Sequence, residues 1–153
     1  MAKTFSELHG MDDLKTALAE LPKATANNVL LRVLTKAGQP IADAGEQNAP
    51  RGATGKLAES YVVSRKLSKN QKSKNRKESK VEVYVGPTPH PKSVQTEFGN
   101  SHMPAQPHLR PAWDSNKDKA LVIVTSELGG EIEKARKRLA RKAEREAAKM
   151  RQS

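Results

Sequence analysis

The sequence predicts an α+β fold: a small antiparallel sheet with a long-looped hairpin, packed against two or three helices, and a long C-terminal helix. Three observations predict it. Apolar residues recur at helical spacing over 11–21 and again, more strongly, over 23–44. Two short stretches, 61–68 and 81–86, change to strand-like alternation around a polar segment. Helical spacing then returns after Pro111 and holds as far as Leu139. The order is helices, hairpin, helix, with no internal repeat.

Residues 3–9 read as a short strand leading into Gly10. Met11, Leu14, Leu18 and Leu21 then share one helical face, with Asp12 and Asp13 in a first turn where carboxylates suit the helix dipole. Pro22 ends that helix or opens the next. The second helix carries Ala26, Val29, Leu30, Val33, Leu34, Ala37, Ile41 and Ala44 as its stripe. Gly38 and Pro40 interrupt it and predict a kink near Lys36–Ala37, because Pro40 removes a backbone donor. Pro50 stops it. Residues 50–56 form a turn in which Gly52 and Gly55 can take positive φ, and Leu57–Ser60 fits a helical turn.

The first strand, 61–68, has Tyr61, Val63, Arg65 and Leu67 on one face. Residues 69–80 are too polar to pack. Val81, Val83 and Val85 alternate with Glu82 and Tyr84 in the second strand, and Gly86-Pro87 closes the hairpin. A corner rich in glycine and proline follows, with Gly99, Pro104, Pro107 and Pro111. The last helix starts near 107–115, where Pro111 suits a first turn and Ser115 with Asp118 resembles a capping pair. Its stripe is Trp113, Ala120, Ile123, Val124, Leu128, Ile132, Ala135 and Leu139, with a weak point at Gly129-Gly130. Beyond Leu139 no apolar face remains. The expected division is a domain over 1–139 and a basic extension over 140–153, a solvated, frayed helix or disordered unless a partner orders it.

Hydrophobic residues make up 35% of the 153 residues and only five are aromatic, so the expected core is thin and its order leans on neighbouring subunits. There is no cysteine, which excludes disulfides and thiolate metal sites. The first ten residues lack the apolar core of a secretory signal, and no run approaches a membrane span. Two segments, at +7 and +5, carry more than the whole net charge of +11. Residues 65–80 hold eight Lys/Arg against one Glu, and residues 131–153 hold nine against four. The remainder is near neutral, so anionic partners would meet two basic appendages.

No catalytic constellation emerges. Gly52-Ala-Thr-Gly-Lys resembles a phosphate loop but has two residues between its glycines rather than four, and Leu57 follows the lysine. His90, His102 and His108 lie among prolines near Glu97 without the spacing of a metal site, which favours a loop or interface role. No nucleophile is set beside a base, and no cofactor is implied. The cations Arg65, Lys66, Lys69, Lys72, Lys74, Arg76, Lys77 and Lys80 have two readings. They could touch phosphates, with interleaved Asn, Gln and Ser adding hydrogen bonds, or the loop could be a solvated arm that docks on an acidic neighbour. No aromatic lies between Tyr61 and Tyr84, so base stacking is not indicated. The tail favours helix, with pairs such as Glu133–Lys137 at i,i+4.

Three blocks resemble the gene-product-ten-like family of tail-completion, or head–tail joining, proteins of long-tailed lambdoid-type bacteriophages. The first is Gly10-Met-Asp-Asp-Leu with Leu18 and Leu21. The second is Ala49-Pro50, Thr54-Gly55-Lys56-Leu57 and Ser60. The third is Glu97-Phe98-Gly99, Met103-Pro104-Ala105, Pro107 and Leu109-Arg110-Pro111-Ala112. The resemblance covers about residues 8–135. Asn100 stands where the family usually has Thr, His108 stands where an aromatic such as Phe is common, and the 69–80 loop and the tail are additions.

The resemblance implies a non-enzymatic virion protein of the neck or tail, present in the host cytoplasm during assembly. Copies would form a homo-oligomeric ring of six-fold or twelve-fold symmetry between the head connector or adaptor and the tail terminator or tail tube, keeping the DNA channel continuous. The eight cations would face packaged DNA or a partner, and no membrane is involved. Within the structural motif, Phe98, Leu109 and Trp113 are expected to anchor packing, so that Trp113→Ala would cost about 3–5 kcal/mol if buried. The rival reading is a cytoplasmic, nonspecific nucleic-acid-binding protein using loop 65–80.

Overall fold

The computed structural model describes residues 3–152, with side chains from Met11 onward. Six helices and two strands follow in the order α1 (Lys3–Ala19), α2 (Lys23–Asn48), α3 (Lys56–Glu59), β1 (Tyr61–Ser64), α4 (Lys69–Lys74), β2 (Tyr84–Pro87), α5 (Ser93–Phe98) and α6 (Leu109–Gln152). The fold is α+β, helix-rich, with one two-stranded antiparallel sheet and a 44-residue final helix. The chain divides into two compact units. One comprises the residues up to Val33 together with those from Thr125 on; the other is Leu34–Val124.

In the first unit the α1 stripe is recovered: Leu21 is buried and Met11, Leu14 and Leu18 are half-buried. The strand expected over 3–9 is instead the start of α1. Asp12 and Asp13 therefore lie inside a helix rather than in its first turn, and Asp12 pairs with Lys15 at 3.2 Å. Val29 and Val33 on α2 are buried, as are Leu128, Ile132 and Ala135 on α6. Beside these residues, Glu131 of α6 accepts from Arg32 Nε at 2.9 Å and from Lys134 Nζ at 2.9 Å. Those two hydrogen bonds outweigh desolvation and hold the Glu131 carboxyl at about 2. Gly129 and Gly130 are helical, and Gly129 faces Leu14. Beyond Leu139 every described residue is solvated, yet the helix runs to Gln152. Ala, Glu, Lys and Arg sustain it by propensity where packing is absent.

The second unit is organised around the continuation of α2. The helix runs through Gly38 and Pro40 to Asn48. Here small residues let the sheet approach. A Cβ on Gly38 would lie 2.9 Å from Val85 Cγ2 and 3.1 Å from Val63 Cγ1, and a Cβ on Gly45 would overlap the Tyr61 ring. Tyr61 and Val63, one face of β1, thus close on α2. The register pairs Tyr61 with Pro87, Val62 with Gly86, Val63 with Val85 and Ser64 with Tyr84.

Both strands are shorter than their sequence patterns. β1 stops at Ser64, whose hydroxyl bonds the Lys66 backbone and turns the chain. Residues 81–83 leave the ladder because Glu82 folds back onto the loop. Ala49, Leu57, Ala58 and Tyr61 form a buried cluster, with Leu109 packed against it. Gly52 and Gly55 take φ of 50° and 62°, as the turn demands. Ser115 lies within α6, so it caps nothing.

Candidate functional site

The proline-rich corner of the second unit contains a helix that its composition hides. α5 spans Ser93–Phe98 and stops at Gly99, whose φ of 74° lies in the left-handed region. A Cβ at Gly99 would lie 2.7 Å from the Ala105 nitrogen, so the position needs glycine twice over. Asn100 and Met103 then close a tight turn through paired backbone bonds of 2.9 and 3.3 Å, and the Gln106 N–H returns to the Thr96 carbonyl at 2.7 Å. This return brings residues 108–110 beside Glu97.

Glu97 is buried, and its carboxylate accepts from the backbone N–H groups of His108 at 2.8 Å, Leu109 at 2.9 Å and Arg110 at 3.1 Å. These are the donors a helix start leaves without intrahelical partners. The next residue, Pro111, has no N–H to satisfy. One remote carboxylate therefore completes the first turn of α6 and places its charge at the positive end of the helix. Arg110 closes the clasp: Nε donates to the Glu97 carboxylate at 3.0 Å and Nη2 to the Glu97 carbonyl at 2.9 Å. Burial pushes the Glu97 carboxyl up, but the backbone donors and Arg110 outweigh it and hold it at about 2.

Behind the clasp lies a buried polar string. The Thr96 hydroxyl lies 2.9 and 3.0 Å from the Lys92 and Ser93 carbonyl oxygens and 3.0 Å from His108 Nε2; when it donates to a carbonyl, the matching imidazole tautomer carries its proton on Nε2. His108 Nδ1 then accepts from the Tyr61 hydroxyl, and the two rings meet edge to face at 5.7 Å. Burial, then the charge of Glu97, push the Tyr61 hydroxyl well above its usual range. The Asn48 amide donates to the His108 carbonyl at 3.3 Å. Every group here is satisfied by protein, which describes a structural lock on α2, β1, α5 and α6. Among the described residues no three His, Asp or Glu side chains converge as metal ligands.

The structure separates the expected anchors. Leu109 packs as predicted, and Leu57 is buried. Phe98 and Trp113 do not pack inward: they are 64% and 53% exposed. Phe98 leaves the core because α5 turns Thr96 and Glu97 inward instead, and its ring carries the Arg110 guanidinium 4.9 Å above it. Trp113 sits one position past buried Ala112 and lines an open apolar groove of about 570 Å³ with Leu34, Ile41, Val83, Val85 and Leu121. Pro50 is half-buried and Thr54 exposed in the turn before α3, whose entry is Gly55; Pro104, Pro107 and Pro111 are exposed around the clasp. Sequence reasoning missed Tyr61 and Thr96 as the partners of His108. The available signal was slight: a lone histidine between Pro107 and Leu109.

The eight cations Arg65, Lys66, Lys69, Lys72, Lys74, Arg76, Lys77 and Lys80 are all exposed, and none is in an ion pair among the described residues. Their loop has local order that its polarity concealed. Ser68 and Gln71 form a capping box at the start of α4. On the return leg Glu82 accepts from the backbone N–H groups of Glu78 at 2.7 Å and Ser79 at 2.8 Å, and from the Tyr84 hydroxyl at 2.5 Å. The Tyr84 bond, then the two backbone bonds, lower the Glu82 carboxyl, while the Tyr84 hydroxyl is raised by the same contact.

The geometry describes a scaffold that locks one helix start and displays a groove and a basic loop. The same chain matches a family model over residues 12–99, more than half its length. The chain belongs to that family, described as "Bacteriophage HK97-gp10, putative tail-component". It is thus a phage tail component, a structural protein of the virion. The match ends at Gly99, so Leu109–Ala112 lies beyond it, although Glu97 binds that segment directly. No curated protein matches the sequence, and no solved structure matches the fold. No described helix is long and apolar enough to cross a membrane.

Proposed function

We propose that the chain is a ring-forming tail-completion or head–tail joining subunit, without enzymatic activity, that links the head connector to the tail around a continuous DNA channel. Membership of the phage tail-component family carries this reading. The surface fits it. The second unit displays large apolar side chains, Trp113 and Phe98 among them, and an unfilled groove, features that mark protein contacts when clustered. The Glu97 clasp holds Phe98 and Arg110 in fixed positions, so this edge reaches a neighbour already ordered. The solvated end of α6 and the paired strands at the base of the hairpin reach neighbouring subunits.

Native mass measurement and negative-stain imaging, with and without purified tail tubes, test the assignment. Closed rings of six or twelve copies, free or on tube ends, are the expected result. A strict monomer that binds neither tails nor connectors would sink it.

A further inference from the structure

The basic loop presents charge that its neighbours offset only in part: Lys77 feels the Glu82 carboxylate, but no loop cation forms an ion pair among the described residues. The nearest carboxylate on the return leg, Glu82, is occupied by two backbone N–H groups and the Tyr84 hydroxyl. The capping box at Ser68 fixes the other leg. Asn75 Nδ2 also reaches Tyr84 Oη at 3.3 Å, which ties the end of α4 to the base of the hairpin. Eight exposed cations with a single acid, Glu78, among them are therefore held on a local frame.

We infer that this loop binds the phosphate backbone of duplex nucleic acid without reading its sequence. The side-chain chemistry selects that partner. Residues 68–80 contain no apolar side chain, so they cannot enter a lipid interface as an amphipathic helix would. Six of the eight cations are lysines, which are depleted from protein–protein interfaces, and no aromatic or Met accompanies them. No aromatic lies between Tyr61 and Tyr84, so nothing is available to stack on the unpaired bases of a single strand. Hydrated ammonium groups beside the amides of Asn70, Gln71 and Asn75 suit the regular phosphates of a duplex. The inference stands apart from ring formation: a monomer that binds DNA upholds it, and a ring that does not bind DNA overturns it alone.

The test is fluorescence anisotropy of the full chain on a short labelled duplex of arbitrary sequence, across salt from about 50 to 200 mM. Each phosphate contact contributes about −0.9 to the slope of log affinity against log salt. The variant Lys69→Gln/Lys72→Gln/Lys74→Gln/Lys77→Gln should flatten the slope by up to about 3.6 and weaken binding at least ~tenfold at the lowest salt. Arg76→Gln/Lys77→Gln/Lys80→Gln leaves α4 untouched and should act in the same direction. Neutralising Lys142, Arg145, Lys149 and Arg151 in α6 should leave most of the slope in place. The inference fails if the loop variants match the parent, if the α6 variant alone abolishes binding, or if single strands or phosphatidylglycerol vesicles bind as tightly as the duplex.

Discussion

Arg110 grips Glu97 from two directions, Nε on the carboxylate at 3.0 Å and Nη2 on the carbonyl at 2.9 Å, while its own backbone N–H donates to the same carboxylate at 3.1 Å. The pairing joins the end of a six-residue helix to the start of a 44-residue one. It gives a physical reason for Glu97-Phe98-Gly99 and Leu109-Arg110-Pro111-Ala112 to stand in one chain. The acid caps, the glycine turns the chain, the arginine closes the clasp and the proline spares a donor.

The clasp should be visible in acid. Glu97 sits at about 2 in the folded chain, below its ordinary 4.5. A depressed carboxylate contributes stability that is fully present above its unfolded value and is lost as pH falls through the folded one. Glu97→Gln should therefore lose on the order of 2–3 kcal/mol at neutral pH, with the gap to the parent closing between pH 4.5 and about 2. Glu131 titrates in the same window in both proteins, so the difference between their denaturant midpoints isolates Glu97. A gap that is constant across that range would show that the charge contributes nothing.

The buried string predicts a coupled pair. Tyr61→Phe removes the donor to His108 Nδ1 and leaves a buried acceptor unpaired, at a cost of about 1–3 kcal/mol. His108→Phe strands the Tyr61 hydroxyl at a similar cost. The double variant removes both halves of the bond, so it should cost at least ~1 kcal/mol less than the sum of the singles. Additive losses in a double-mutant cycle by urea unfolding would mean that the two side chains act independently.

What the sequence made legible follows from where packing decides. Helical spacing marked α2 and α6 because long apolar stripes are buried in them: Val29, Val33, Ala37 and Ile41 on one, Leu128, Ile132 and Ala135 on the other. Trp113 broke the pattern because hydrophobicity does not say which side of a helix start faces the core. The core side is taken by Ala112, which is fully buried. α5 was hidden because its inward residues are Thr96 and Glu97, polar groups whose burial depends on partners at 108–110 that no local pattern reveals. The basic residues were legible as a patch, whereas the Ser68 cap and the Glu82 clasp that order them come from single hydrogen bonds. The strand assigned to 3–9 failed on a stretch with little periodicity of either kind.

Helical glycines divide by what surrounds them. Gly130 faces open space in α6, so Gly130→Ala should add about 0.5–1 kcal/mol and raise the melting temperature. Gly38→Ala meets Val85 and Val63 methyls at 2.9 and 3.1 Å, and the strain of about 1–3 kcal/mol should exceed the helix gain. Gly45→Ala should be worse, because the Tyr61 ring it would strike is tied to His108 and cannot swing away. Thermal melts of the three single variants check the order. A stabilising Gly45→Ala would contradict the packing of Tyr61 on α2.

Trp113 is the sole tryptophan, which makes it a reporter as well as a test. A fully buried tryptophan costs about 3–5 kcal/mol on truncation to alanine. At 53% exposure, with the other face on the groove beside Ile41 and Val85, Trp113→Ala should cost less than about 1.5 kcal/mol in the isolated subunit. Its emission should be close to that of a solvated indole. If the groove is a subunit or tail contact, assembly removes water from the ring and the emission moves to the blue. The same substitution should then weaken assembly far more than folding, since aromatic anchors carry a large share of interface energy. Sedimentation of the parent and the variant across concentration separates the two effects. A variant that assembles as well as the parent, with emission unchanged on assembly, would assign the groove no part in the contact.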